Sequence, residues 1–395
     1  MKVYMPLFKK DSLKILYLQD TAMWYRRPFF FKLNEIYDIK FIFTYMEYIT
    51  HMYSIEQSWE IDELDKLKYK IIKSYCNNKY LDVAFCLLRD LLMEDYDIIV
   101  DMYGSIDMLY CFLAAKLRRK PIVLCSDVWG WKRKKSLHET LILPFNKFFV
   151  YHTDAILVPG IKQKEYYISL GALPDKIFIM PNVSGLVVRD EDYEHKKNLK
   201  EKLSIENKKV ILYVGRLVKQ KGVEYLIKAF AKLREEMDDI VLIIIGHGEC
   251  KDELLLLSKN LDIENHIYFM GFIENVHLSS YYLLCNVCVI PSITHGQADC
   301  WGYVVNEAMH CGKPVIATDA VGAAFEMIRN NENGFIVPEK DVNALYVALK
   351  KIISNSDLEK KMGIESKKII ESGFEYKHMI EVFKNAISSL GTGSK

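Results

Sequence analysis

No apolar run in this 395-residue chain reaches the roughly 18–20 residues that a membrane-spanning helix needs. The opening stretch MKVYMPLFKKDSLK also lacks the apolar core of a secretory signal, so the chain is expected in the cytoplasm. An excess of charge of one sign is missing too: 53 Lys and Arg face 52 Asp and Glu, for a formal net charge of +1. That balance carries no electrostatic footprint of a nucleic-acid binder, and no nucleic-acid partner is expected. There is no low-complexity segment and no short repeat, which excludes solenoid and disordered classes. The nine cysteines are odd in number and sit mostly in apolar runs, which fits reduced, buried thiols rather than a disulfide framework. CNVC at 285–288 has zinc-like spacing, but no second Cys pair or His pair follows, and it lies in LLCNVCVIP, which reads as a buried strand. No metal is therefore expected. The Gly-x4-Gly-Lys-Ser/Thr order of a P-loop is absent. The nearest thing to an Asp-x-Asp motif, DED at 190–192, falls in a charged linker.

What is present is alternation. Short β-rich runs at 14–19, 39–45, 97–103, 120–127, 154–160 and 176–182 are separated by amphipathic stretches such as RPFFFKLNEIY and DMLYCFLAAKLRR. A polar segment at 187–209 reads as a linker with a lead-in helix. A second series of strands then runs over 209–216, 240–248, 266–272, 287–292, 313–318 and 334–338. The pattern predicts an α/β chain of two Rossmann-like domains with parallel sheets. A chain of this length is too long for one ordinary core. Two such units imply a cleft between them, where ligands usually bind.

Two stretches carry candidate chemistry. In YVGRLVKQKGVEYLIKAF (213–230) a strand runs into Gly215 and Arg216, and a loop reaches Lys221 ahead of a helix. Gly215 permits close backbone approach, and the two cations beside a helix start suit a phosphate or diphosphate. The alternative is a turn with solvated basic residues. In ADCWGYVVNEAM (298–309) Asp299 lies on the loop after a strand, Gly302 opens a helix, and Glu307 stands within it. Two carboxylates flanking a helix start can grip the hydroxyls of a sugar and a ribose. As alternatives, Asp299 caps the helix and Glu307 is a helix-surface charge.

The combination of GRLVKQKG with PS…DCWGYVVNEAMHCGKPVIATDAVG…NGFIVP resembles the retaining glycosyltransferases of family 4, which have the GT-B fold. The likeness covers most of residues 205–345, and RRPFF and VPGIKQKEYYISLGALPDKIFIMPNVSG add to it. It implies that 1–190 is an acceptor-binding domain and 205–370 a nucleotide-sugar donor domain. The remainder, 371–395, would be a C-terminal helix packed back on the first domain, with a flexible tail. It also implies that Arg216 and Lys221 hold the donor diphosphate, that Glu307 binds the ribose, and that Asp299 sits by the sugar. The family usually has Glu at the position of Asp299, so the reach to the sugar differs here. Cys300, Trp301, Gly302 and Tyr303 would offer backbone amides. The departing diphosphate needs positive charge, and it can take the acceptor's proton from the same face, so no acid–base couple and no metal are required.

In the first half, Asp127 of VLCSDVWGWKRKK is the candidate acceptor-orienting or sugar-contacting group, with a loop cap as its alternative. Arg26 and Arg27 are candidates for an acceptor phosphate, and His295 for the cleft wall. His51, His138 and His152 read as surface or loop groups. The two Trp and four cations of WGWKRKK suit an anionic membrane surface, which would place the chain at the inner face of the membrane with a lipid-linked acceptor. The expected activity is transfer of a sugar from UDP- or GDP-sugar to a glycan or lipid-linked saccharide in polysaccharide or glycoconjugate biosynthesis. Its rivals are an epimerase or hydrolase on the same fold, a non-catalytic nucleotide-sugar sensor, and a glycoside hydrolase. The last would use two carboxylates about 5–10 Å apart and has no need of Arg216 and Lys221.

Overall fold

The structure, a computed structural model, describes residues 11–19, 25–43, 64–71, 81–102, 107–130 and 137–391. Its first half runs β1 (Asp11–Gln19), α1 (Arg27–Ile36), β2 (Tyr37–Phe43), β3 (Tyr69–Ile71), α2 (Leu81–Met93), β4 (Ile98–Met102), α3 (Asp107–Leu117), β5 (Ile122–Cys125), α4 (Leu137–His152), β6 (Ala155–Val158), α5 (Ile161–Ser169) and β7 (Ile177–Ile179). The second runs α6 (Asp190–Leu203), β8 (Lys209–Val214), α7 (Val223–Arg234), β9 (Ile240–Ile245), α8 (Lys251–Asn260), β10 (Ile267–Gly271), α9 (Asn275–Leu284), β11 (Val287–Ile290), α10 (Val304–His310), β12 (Val315–Thr318), the single turn α11 (Ala324–Met327), β13 (Gly334–Val337), α12 (Val342–Ile353), α13 (Ser356–Gly373) and α14 (Tyr376–Ser389).

The strands form two parallel sheets, ordered β3-β2-β1-β4-β5-β6-β7 and β10-β9-β8-β11-β12-β13. This is the two-sheet α/β architecture that the strand alternation predicts. Central strands such as IVLIII of β9 are buried along their whole length. Helices cover both faces of a parallel sheet, so its strands read as continuous apolar runs rather than alternating ones.

The charged stretch around residue 190 is helical. Asp192 caps α6 by accepting from Arg189 N at 2.7 Å and is bound by Ser280 Oγ at 3.1 Å. The DED sequence is therefore a helix start with a buried cap. CNVC lies at and within β11, with Cys285 and Cys288 buried as free thiols. Among the described residues no three His, Cys, Asp or Glu side chains converge as metal ligands.

The chain crosses between halves twice, after β7 and between α13 and α14. At the second crossing α14 leaves the second sheet and packs on α1 and β6. Its Phe383, fully buried, meets the rings of Tyr17, Phe29 and Tyr37 at 5.7–6.4 Å between centroids. Tyr376 Oη donates to Tyr25 O at 2.8 Å.

Candidate functional site

In each sheet the strand order reverses beside the first strand, at β1/β4 and at β8/β11. Such switch points open a crevice at the carboxyl ends of the strands. In the second sheet that crevice gathers residues far apart in sequence. Beyond β8, Arg216 is exposed on the rim, and its carbonyl is fixed by Tyr213 Oη at 2.8 Å. A 3-10 turn, Lys219–Lys221, then leads through Gly222 into α7. Gly222 has φ +61°, and a Cβ there would lie 2.1 Å from Pro291 O at the end of β11. Glycine thus lets the turn sit directly on the neighbouring strand. The result is an ion pair between Lys221 Nζ and Asp299 Oδ2, an oxygen that Ser292 Oγ also meets at 3.1 Å.

The loop holding Asp299 is tied down on both sides. Asp299 N donates to Ala320 O at 3.0 Å and Gly322 N to Asp299 O at 3.0 Å. Gln220 Nε2 reaches Gln297 O and Ala298 O at 3.0 and 2.8 Å. Gly302, at φ +86°, faces Val321 so closely that a Cβ would stand 2.8 Å from its Cγ1. The helix opens at Val304, two residues later than the glycine that the sequence suggests as its start. Among the described residues, the N–H groups of Trp301, Gly302 and Tyr303 meet no acceptor, while that of Cys300 lies against its own thiol. The Trp301 side chain is 2% exposed and donates to Asn306 Oδ1 at 2.8 Å, so it anchors the loop rather than facing a ligand.

Glu307 is not a helix-surface charge. It is 4% exposed, accepts from Tyr282 Oη at 2.6 Å, and lies 3.4 Å from Ser184 Oγ of the segment between the halves. Burial pushes its carboxyl up to about 7, against smaller opposing effects from those two hydroxyls. From the ordinary 4.5 to about 7, the native chain holds a proton that the unfolded chain has released. This contribution to stability is full below the lower value and is lost as pH rises through the upper one. Glu307→Gln should therefore gain on wild type by a few kcal/mol across that window, measured by denaturant unfolding at each pH. A difference that stays flat would show that Glu307 does not titrate there. Among the described residues Asp299 and Glu307 share no partner, and Glu307 is nearly closed off from solvent.

On the first half, Arg26 is 3% exposed. Its Nη2 donates to Asn182 Oδ1 at 2.8 Å and lies 3.7 Å from Asp127. The neighbouring tyrosines and Asp127 favour its charge, against the burial that opposes it. Arg26 therefore braces the interior instead of standing free for an acceptor, and Asp127, 30% exposed, is one of its partners. Arg27 is partly exposed at the start of α1, and His295 is exposed on the loop before Asp299. His152 is exposed, His51 lies outside the described residues, and so does the His138 side chain. Of WGWKRKK, residues 131–135 lie outside the described residues. Trp129 is 8% exposed with its ring 5.8 Å from Phe325 of the second half, so it is no membrane anchor.

Sequence reasoning missed the residues that join the halves. Gln163 of α5, fully buried, donates to Cys300 O at 2.9 Å, beside Asp299. Asn306 Nδ2 donates to Asn182 O at 2.8 Å. Glu326 accepts from Ile161 N at 2.5 Å. Gln163 and Asn182 both lie in the stretch VPGIKQKEYYISLGALPDKIFIMPNVSG that carries the family resemblance, but nothing local marks Gln163 or Glu326 as buried contacts between the halves.

The description "Glycosyl transferases group 1" matches residues 195–369, which include Arg216, Lys221, Asp299 and Glu307. An uncharacterised glycosyltransferase of Methanocaldococcus jannaschii is 30% identical over 204 residues, 50% of this chain and 51% of that protein. The N-acetylgalactosamine-N,N'-diacetylbacillosaminyl-diphospho-undecaprenol 4-alpha-N-acetylgalactosaminyltransferase of Campylobacter jejuni is 34% identical over 152 residues, 38% of this chain and 39% of that protein. The chain thus spans about half or less of the length of these relatives. In structure it is similar to HepE of Anabaena, solved in complex with UDP, with a TM-score of 0.77, 16% identity, and coverage of 96% of this chain and 100% of that one. Its two parallel sheets share the GT-B fold of that structure, and residues 195–369 match the group 1 glycosyl transferases.

Proposed function

We propose that the chain transfers a sugar, with retention at the anomeric carbon, from a UDP- or GDP-sugar to a glycan or lipid-linked saccharide. The observation that carries this reading is the placement of Lys221 against the Asp299 loop at the β8/β11 crevice, with Arg216 on the rim after β8 and the backbone amides of Trp301 to Tyr303 without an acceptor among the described residues. Fixed cations and free N–H groups are what a leaving diphosphate requires. Asp299, already held by Lys221 and Ser292, would accept from a sugar hydroxyl. Glu307 would accept from the ribose once it is ionised. The departing phosphate oxygen would take the acceptor's proton from the face on which the new bond forms. No resident metal enters this scheme.

Residues 1–190 would hold the acceptor and 205–370 the donor. Arg27 and His295 are the acceptor-side candidates with access to solvent, and Asp127 is tied to the donor loop through Gln163, whose Nε2 lies 3.4 Å from Asp127 O and 2.9 Å from Cys300 O. The lipid-diphosphate acceptor in the name of the Campylobacter relative supports a lipid-linked acceptor here. So do Phe145, Phe148 and Tyr151, exposed on α4, which would meet the inner face of a membrane. No helix among the described residues is long and apolar enough to cross one.

Calorimetric titration with uridine, guanosine and adenosine diphosphates and their sugars, in the presence of chelator, tests the donor. One nucleotide should bind, more tightly with its sugar attached. Asp299→Asn should remove the sugar's increment while leaving free-nucleotide affinity nearly intact. Equal losses for both would take Asp299 away from the sugar, and no binding of any nucleotide would end the transferase reading.

A further inference from the structure

The amino ends of the strands in the second sheet, opposite the donor crevice, carry a separate recess of about 320 Å³. Five lysines line it, Lys196 and Lys200 of α6, Lys208 and Lys209 at the start of β8, and Lys313 just before β12, against two acids, Glu206 and Glu359. Three of the lysines have partners. Lys313 Nζ donates to Leu283 O and Cys285 O at 2.9 and 2.7 Å, holding the carboxyl end of α9. Lys209 donates to Ser356 Oγ at 3.0 Å and lies 3.4 Å from Glu359, and Lys208 donates to Asp238 O at 3.0 Å.

Lys196 and Lys200 differ. They stand four residues apart on one face of α6, both partly buried, and among the described residues neither meets a carboxylate or a carbonyl. Burial first, then the neighbouring Lys313 and Lys200, hold the Lys196 pKa below the usual lysine value. Like charges brought together in a partly desolvated recess repel, and Glu359 offsets only part of that for Lys196. A multiply charged oxyanion would offset it by accepting from several ammonium groups at once.

We propose that this recess is a second anion site, which binds a phosphate or diphosphate group through Lys196 and Lys200, with Lys313 at its wall. The group can be that of a soluble phosphorylated metabolite or of a lipid headgroup. The site is distinct from the donor crevice, since none of its lining residues lies at a strand carboxyl end.

Inorganic diphosphate is the probe, titrated calorimetrically into the full chain. The donor crevice is first disabled by Arg216→Ala/Lys221→Ala, and diphosphate should still bind that variant. Adding Lys196→Gln/Lys200→Gln should lower this affinity about tenfold or more, as loss of charge-assisted contacts implies. Lys196→Arg/Lys200→Arg should keep it, which separates loss of charge from loss of fold. Co-sedimentation with phosphatidic-acid vesicles distinguishes the sources: retention that depends on Lys196 and Lys200 assigns a lipid phosphate, and diphosphate binding without retention assigns a soluble ligand. Diphosphate affinity unchanged by the two glutamines overturns the proposal. So does absence of both diphosphate binding and lysine-dependent vesicle retention in the Arg216→Ala/Lys221→Ala variant.

Discussion

Replacing Lys221 by alanine is expected to lower kcat/KM by about two to three orders of magnitude, the usual cost of removing one donor from a site where negative charge develops. The basis is position. Lys221 is 19% exposed, stands at the β8/β11 crevice, and is the cation paired with Asp299. Its loss would have a second consequence, because the Asp299 carboxylate, 12% exposed, would keep only Ser292 as a side-chain partner among the described residues. Leaving a largely buried charge unpaired costs on the order of 3 kcal/mol, so the melting temperature should fall as well. Two measurements separate these effects. If Lys221 grips the diphosphate, the variant should lose affinity for the nucleoside diphosphate and keep that for the nucleoside. A parallel loss for both would mean that the crevice has merely collapsed. Arg216→Ala has no such complication, since its side chain is exposed and its carbonyl, not its guanidinium, is held by Tyr213. Arg216→Ala should cut turnover with little change in stability, and unchanged kcat/KM in both variants would remove this pair from the reaction.

Phe383→Ala should be among the most destabilising single changes in the chain, by about 3–5 kcal/mol. Phe383 lies only twelve residues from the end of the given sequence, in a helix that carries no candidate site residue. On position alone a mild effect would be expected. The structure argues otherwise, because the ring fills the centre of the first sheet's core among Tyr17, Phe29 and Tyr37. Removing it leaves a cavity that these large rings cannot close without leaving their own packing. Chemical denaturation should show the loss in the unfolding of the first half, with nucleotide binding by the second half less affected. A change below about 1 kcal/mol would mean that α14 does not complete that core.

Much of this molecule is legible along the chain. Buried parallel strands are continuous apolar runs, and each announces itself without knowledge of its neighbours, as IVLIII of β9 does. The exception is Tyr69–Ile71, three partly buried residues at a sheet edge, too short for any pattern to form. The strand-end motifs, Gly215-Arg216 and Asp299 to Tyr303, are local as well, since glycines and charges at strand ends are set by the turn that follows. The sequence does not say which strand lies beside which. β9 and β10 intervene between β8 and β11 in the chain but lie on the outer side of β8 in the sheet, and only that order brings Lys221 to Asp299, 78 residues away. The same holds for burial. Arg26 looks like a solvated helix start until Asn182, 156 residues on, and Asp127 close over it. Glu307 looks like a surface charge until Tyr282 and Ser184 enclose it and shift its titration. Local patterning depends on periodicity, which the chain carries in itself. The environment of a charge depends on the groups that remove its water, and those come from elsewhere in the fold.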